Sequence, residues 1–452
     1  MRLRKTITTI VATAILLAGW QLFAVIANQP ELIPSLPRLV RTLCEWLVSG
    51  SFYQSVGATI FRGILGMSIS FVCAIGMAGL FARFEWVYEL FRPLLAIMRS
   101  IPVISFILLA LIFLNPESIP LMIAFLTMFP LLTENLTRGI LDLRPGLSIM
   151  ARQFHIKRSN VLFQIIYPQL KPFLYSGLAS AAGFGWRAII MGEVLSQCAF
   201  GIGSEMKRAQ NFISVPELLA WTIVAVFISF FFDKGISKVA DITPKISFAN
   251  EDQTIPTPTL SVLDTKDISY QYGIQHFSHS FQKGIIYGIS APSGKGKTTL
   301  LNLIGGILLP TEGEIHPTRH FGIATIFQQP QLLPYLTAEE NIILPLSSFL
   351  TEEKARRIAQ KHLQEMEMEP FGNRYPKELS YGQQQRIAIA RALAYPSPLL
   401  LMDEPFKGLD EALSHRIIER IREKQMKEER IILFTSHNPD EIRLLADEVI
   451  YL

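Results

Sequence analysis

Residues 284–304 read GIIYGISAPSGKGKTTLLNLI. The run from Gly284 to Ile289 is apolar and strand-like, Ala291 to Thr299 is a glycine-rich turn, and Leu300 to Ile304 has helical character. Strand, turn and helix in that order are the setting a phosphate-binding loop requires. Across Ser293, Gly294, Lys295 and Gly296 the backbone N–H groups can point at a common centre. Thr298 and Thr299 open a helix whose positive dipole end faces the same place. Lys297 is then placed to reach the β- and γ-phosphates of a nucleotide, with Thr298 as a ligand for Mg2+. The pattern is GxxxxGK[ST] with one departure: Ala291 stands where the first glycine belongs. Alanine accepts most negative-φ geometries, so a small effect is expected.

Downstream, Leu399 to Met402 is an apolar strand that ends in Asp403-Glu404. A buried strand delivering two carboxylates at its C-terminal end suits a metal ligand, Asp403, and a base that polarises water, Glu404. Two surface acids after a core strand are the plainer reading, and the loop upstream weighs against it. Between the two motifs lies Leu379-Ser380-Tyr381-Gly382-Gln383-Gln384-Gln385-Arg386. This stretch resembles the ABC signature LSGGQ, with Tyr381 in place of the first glycine.

The resemblance implies an ABC ATP-binding cassette, an α/β P-loop NTPase, over about residues 259–452. In that family the signature caps the γ-phosphate bound by a second subunit, which puts Ser380 and Gly382, with Gln383 beside them, in contact with nucleotide. Phe327-Gln328-Gln329-Pro330 is similar to the family's Q-loop, with Gln328 sensing Mg2+ and the membrane domain. Leu409-Asp410 is similar to the D-loop, and Ser436-His437 to the switch histidine that contacts γ-phosphate. Tyr272 fits the aromatic that stacks on adenine, with Tyr270 as the alternative. The chain is short beyond His437, so no C-terminal regulatory domain is expected.

The other half is of a different kind. Half of the 452 residues are hydrophobic, and they concentrate in residues 1–240. Charge-free runs at 6–30, 63–82, 100–116, 118–133, 172–186 and 218–232 read as six membrane helices, or five if Asn115-Pro116 is re-entrant. Only helices and closed barrels satisfy every backbone group in lipid. The run 6–30 follows a basic start and is longer than a signal-peptide core, so an uncleaved first helix is expected. Arg2, Arg4 and Lys5, and then Arg138, Arg144, Arg152, Lys157, Arg158 and Lys171, belong on the cytoplasmic side by the positive-inside rule. That orientation leaves the C-terminal half where ATP is. Arg187 and Glu193 lie near the end of the fifth run. They are candidates for lining a pathway, although their spacing puts them on different helix faces.

Residues 241–258 (DITPKISFANEDQTIPTP) are polar and rich in proline, a semi-rigid tether between the membrane half and the cassette. The net charge of +4 carries no basic stretch interleaved with aromatics, so a nucleic-acid partner is not expected. Cys44, Cys73 and Cys198 are scattered without metal or disulfide spacing, and Cys73 reads as a small buried hydrophobe.

Residues 1–240 resemble the permease subunits of bacterial ABC importers, the nitrate/sulfonate/taurine-type group above all. The piece that carries this is Ile149-Met150-Ala151, then His155, then Tyr167-Pro168. It is similar to the permease EAA loop, with Ile149 for its Glu, His155 for its Gly and Tyr167 for its Leu. The resemblance makes Ala151, His155 and Pro168 part of a coupling loop docked on the ATPase. It implies a half-transporter of the bacterial cytoplasmic membrane, binding ATP and Mg2+. It would work as a dimer with a second copy and be fed by an extracytoplasmic substrate-binding protein, importing a small polar or anionic solute. Two other readings stay open: a regulatory or mechanotransmission complex, and a weakly active half that needs an active partner chain.

Overall fold

The computed structural model describes the chain apart from Met1, 241–243, 254–259, Tyr272, Ser293 and 318–321, and describes only the backbone at 2–6, 9–10, 239 and 240. The chain forms two compact units, Met1–Leu143 with Gln169–Thr243, and Arg144–Pro168 with Pro244–Leu452.

The first unit is all helix. It comprises α1 (Arg2–Ala27), α2 (Leu36–Trp46), α3 (Gly50–Arg83), α4 (Glu85–Ser100), α5 (Val103–Phe113) and α6 (Ile119–Leu141). After a segment that belongs to the second unit, it resumes with three further helices. Four helical stretches among the described residues are long and apolar enough to cross a membrane: Gly50–Arg83, Pro116–Leu141, Arg158–Ser196 and Val215–Lys238. The pair α4 and α5 is apolar enough only when taken together and is bent by 94°, the form of a broken span or a re-entrant loop. α1 is 26 residues long, and its continuously described part, Val11–Ala27, is apolar. The expected span 100–116 therefore differs from what is found. The corner falls at Ile101-Pro102, because a residue before proline is driven out of the helical region; Ile101 has ψ 129°.

Close helix packing in this unit rests on small residues. A Cβ on Gly66 of α3 would lie 2.7 Å from the Ala124 Cβ of α6, and one on Gly63 would lie 3.1 Å from the Trp186 ring. Without a hydrophobic drive between helices in lipid, such close approach is what holds them. Cys73 is exposed on α3, contrary to the buried placement expected from its apolar run, because no other described helix of the unit covers that face.

The second unit begins with α7 (Pro145–Gln153) and α8 (Arg158–Asn160). A π-helical turn, Val161–Ile166, leads on into α9 (Tyr167–Ser196). α10 (Ile202–Asn211) and α11 (Val215–Ala240) complete the first unit. The cassette then starts with β1 (Val262–Tyr270), β2 (Ile274–Gln282) and β3 (Ile286–Ser290), followed by α12 (Lys297–Ile304), β4 (Glu312–His316) and β5 (Ala324–Ile326). Helices α13 (Ala338–Leu346), α14 (Glu352–Glu365) and α15 (Tyr381–Ala394) precede β6 (Leu399–Asp403). The chain closes with α16 (Glu411–Glu428), β7 (Ile431–Thr435), α17 (Pro439–Leu445) and β8 (Glu448–Tyr451).

β1 pairs antiparallel with β2 and β4, while a five-stranded parallel sheet has the order β5-β6-β7-β3-β8. Strands β6 and β7 are buried along their whole length, which is why they read as continuous apolar runs. β3, β6 and β7 are neighbours in this sheet, and the loops that leave their C-terminal ends converge. In an open parallel sheet, ligands bind at that edge.

Candidate nucleotide site and coupling segment

β3 ends at Ser290, and α12 begins at Lys297. The turn between them depends on left-handed backbone at Gly294 (φ 81°) and Gly296 (φ 87°). A Cβ on Gly296 would lie 2.7 Å from the Gly273 carbonyl oxygen, so no other residue fits there. Ala291 is not among the positive-φ residues. It contributes through its carbonyl, which accepts from Lys297 Nζ at 2.7 Å. That is something any residue supplies, and the backbone at this position does not call for glycine. Lys297 is buried at the root of the loop.

Thr298 Oγ1 donates to Asp403 Oδ2 at 2.8 Å, and Thr435 Oγ1 donates to Asp403 Oδ1 at 2.7 Å. In-register pairing of β6 with β7 sets Asp403 opposite Thr435 and so places both bonds. The next residue, Glu404, has φ 47°, a left-handed conformation rare outside glycine. Its N–H donates to Thr435 Oγ1 at 3.1 Å. The Glu404 carboxylate meets His437 Nε2 at 3.1 Å, Lys407 Nζ at 3.3 Å and Gln328 Nε2 at 3.4 Å. Three side chains expected from the motifs, Gln328, Glu404 and His437, thus share one point. Sequence reasoning missed Thr435 and Lys407. A threonine ending an apolar strand just before Ser436-His437 was the available signal for the first. Beside them, Ser436 Oγ donates to the Glu441 carboxylate, and burial holds that carboxyl above its ordinary pKa.

Thr298, Gln328 and Asp403 line a cavity of about 270 Å³ together with Gly146 and Ile149. Hydroxyl, carboxamide and carboxylate oxygens on one wall are the hard donor set that suits Mg2+. No signature residue is in that lining among the described residues. Ser380 instead caps α15, accepting from Gln383 N–H at 3.3 Å while Gln383 Oε1 accepts from Ser380 N–H at 2.9 Å. Gly382 sits against the turn after Glu404, where a Cβ would come 2.6 Å from the Gly408 carbonyl. Asp410 caps α16 by accepting from Leu413 N–H at 2.9 Å. Gly294 and Lys295 are exposed on the loop, and Thr299 lies half-buried in α12. Tyr272 and Ser293 lie outside the described residues; Tyr270 is half-buried at the end of β1.

The segment Arg144–Pro168, expected to dock on the ATPase, is built into the same compact unit as the cassette. Leu147, Met150, Ala151 and Phe154 are buried with the cassette core. Gln153 Nε2 donates to the Gly305 carbonyl, which ends α12, at 2.8 Å, and the Gln153 carbonyl accepts from Ile323 N–H at 2.8 Å. His155 is exposed with φ 46°. That left-handed turn is what glycine supplies at the corresponding place in the permease loop. Pro168 is the second residue of α9, which continues directly from the π-helical turn, and it brings no N–H to that ladder.

The sequence pattern described as "ABC transporter" matches residues 274–407, and that described as "Binding-protein-dependent transport system inner membrane component" matches residues 66–233. An uncharacterized ABC transporter ATP-binding protein of Methanocaldococcus jannaschii is 34% identical over 201 residues, covering 40% of this chain and 85% of that protein. The chain belongs to the ABC transporter family. This ABC chain is also 35% identical over 189 residues to an Fe(3+) ions import ATP-binding protein of Rhizobium etli, covering 40% of this chain and 54% of that protein. A glucose import ATP-binding protein of Saccharolobus solfataricus is 35% identical over 185 residues, covering 38% and 52%. The ABC chain thus spans about half the length of these two import proteins, and it joins a permease-type helical unit to an ATP-hydrolysing cassette.

Buried Glu193 of this ABC chain is paired, though not with Arg187, which is exposed. Thr59 Oγ1 donates to it at 2.9 Å, Arg62 Nη1 at 2.8 Å and Gly203 N–H at 3.0 Å. Arg62 also holds Glu117 at 2.7 Å and the Phe200 carbonyl at 2.7 Å. The network ties the turn after α9 to α3 and to the turn that leads into α6.

Proposed function

We propose that the chain is one half of an ATP-driven importer of a small polar or anionic solute, working as a homodimer in the bacterial cytoplasmic membrane with an extracytoplasmic substrate-binding protein. The observation that carries this reading is the coupling segment. Ile149 and Gly146 share a cavity wall with Thr298, Gln328 and Asp403. A change at the phosphate end of that cavity therefore reaches the segment that continues into α9. The match to a binding-protein-dependent permease pattern supports the external binding protein. The polar or anionic solute rests on the likeness of the permease half to the nitrate/sulfonate/taurine-type group.

The mechanism follows from the chain's own groups. Phosphoryl transfer to water is governed by positioning and electrostatics. Lys297, anchored by the Ala291 carbonyl at 2.7 Å, is displaced toward an incoming phosphate, which outcompetes a neutral carbonyl for its ammonium. Thr298, Asp403 and Gln328 would hold Mg2+, which neutralises phosphate charge when bound. Glu404 orients the attacking water, and His437 at 3.1 Å from it is placed to contact the γ-phosphoryl. Ser380 and Gly382 are absent from the cavity of their own cassette, so they would complete the site of the second copy.

Mg2+-dependent ATP hydrolysis by the purified chain in lipid vesicles tests this, with wild type beside Glu404→Gln. Wild-type turnover with a loss of at least about 100-fold in the mutant, ATP binding retained, is the expected result. Near-normal turnover in Glu404→Gln would remove Glu404 from the mechanism. An inactive wild type would favour the reading of a half that depends on a partner chain.

A further inference from the structure

The family signature has glycine where this chain has Tyr381, and the structure shows where that side chain goes. It turns back onto its own cassette. The ring packs on the turn after Glu404, so that a Cβ on Gly408 would lie 2.8 Å from Tyr381 Cδ1. The hydroxyl donates to the Gln328 carbonyl at 2.8 Å. Gln328 is the residue whose carboxamide reaches Glu404 Oε1 at 3.4 Å. At the far end of the same helix, buried Arg391 donates to the Gln331 carbonyl at 2.8 Å and to the Pro330 carbonyl at 2.9 Å. α15 thereby fixes three of the four consecutive carbonyls from Gln328 to Gln331. Arg391 also lies over the Phe154 ring of the coupling segment, 5.4 Å from its centroid. A glycine at position 381 would leave the Gln328 end of this grip open.

We propose that Tyr381 is a positioning residue for ATP hydrolysis. Its hydroxyl holds the Gln328–Gln329 peptide so that the Gln328 carboxamide faces Glu404. It makes the start of the signature helix, the Q-loop and the Glu404–Asp410 turn move as one body. This rests on the ATPase reading above. The substitution is therefore a tie within one cassette, rather than an obstruction of the surface that a second copy would approach.

The test uses the full-length chain in lipid vesicles, as wild type, Tyr381→Phe and Tyr381→Gly. The first measurement is kcat and KM for ATP. The second, made without nucleotide, is amide hydrogen exchange of peptides covering residues 324–332, which include the Gln329 N–H on the peptide unit whose carbonyl Tyr381 holds. Losing one hydrogen bond of ordinary strength should lower kcat about 5-fold in Tyr381→Phe, with KM changed less than about 2-fold, and should speed exchange in that segment by a similar factor. Tyr381→Gly should show the same exchange as Tyr381→Phe. Wild-type kcat and exchange in Tyr381→Phe would overturn the proposal, leaving the ring as a groove filler. Turnover faster than wild type in Tyr381→Gly would overturn it too, by showing that tyrosine obstructs closure. If the wild type itself does not hydrolyse ATP, the function proposed above fails separately. The exchange measurement still decides whether the hydroxyl holds the Q-loop.

Discussion

Glu404 occupies a left-handed backbone conformation that costs a non-glycine residue on the order of 1 kcal/mol or more. The bond from its N–H to Thr435 Oγ1 fixes that conformation, and the same hydroxyl donates to Asp403. Thr435→Val keeps the shape of the side chain and removes both bonds. It leaves an oxygen of buried Asp403 without its donor, so the cassette should lose about 1–3 kcal/mol of stability by thermal or denaturant unfolding. Turnover should fall at least about tenfold as Glu404 drifts from His437. A variant with wild-type stability and turnover would show that the β6–β7 register alone places the acid. At this scale the motif residues were legible because their chemistry fixes their spacing: Lys297, Asp403, Glu404 and His437 lie where loop and strand ends put them. Thr435 was not legible, because a threonine closing an apolar run looks like any strand residue until pairing sets it beside Asp403. The partner of Glu193 was hidden for a related reason, since Arg62 lies 131 residues away in the chain.

Among the elements, the segment Arg144–Pro168 is the least expected from composition, since it belongs with the cassette although the sequence on either side is membrane helix. Its seat is completed by residues that a polar, proline-rich stretch does not advertise. Asn160 is buried and bonds Ser247 in both directions, at 2.8 and 2.9 Å, and donates to Ser347 Oγ at 2.8 Å. Gln164 Nε2 donates to the Pro244 carbonyl at 3.0 Å. Ile246 and Phe248 pack on the cassette core, and the Asp252 carboxylate accepts from Thr351 N–H at 2.9 Å before α14. Residues 244–253 therefore form a strap that shares the coupling seat. Asn160→Ala should cost about 2–4 kcal/mol locally, because it strands buried partners on both sides. The readout is amide exchange, which should rise together in 158–166 and 244–253 and stay unchanged in α14. Exchange rising in 158–166 alone would mean that the strap seats itself independently. Of the six spans expected from charge-free runs, the four at 63–82, 118–133, 172–186 and 218–232 fall in helices long enough to cross, whereas the corner at Ile101-Pro102 was not legible. An apolar run looks the same whether or not it bends.

For the whole molecule, the decisive question is how many copies make one working unit. One chain carries one phosphate-binding loop and one signature, and the signature serine is occupied in capping its own helix rather than lining the cavity that holds Thr298 and Asp403. Two copies about a two-fold axis would each supply what the other lacks. The prediction concerns mixed populations. Wild-type and Glu404→Gln chains are co-expressed under separate tags at varied ratio, so that subunits pair at random, and turnover is measured per total chain in vesicles. If hydrolysis requires both composite sites to be intact, turnover follows the square of the wild-type fraction and falls to about a quarter at equal mixing. If each chain acts alone, or if the two sites fire independently, turnover falls only to about half. Pull-down on one tag followed by detection of the other separates these last two cases, since chains that act alone carry no partner. A quadratic decline with co-purification would establish the homodimer and the coupling of its two sites together. A linear decline without co-purification would return the chain to a search for a different partner.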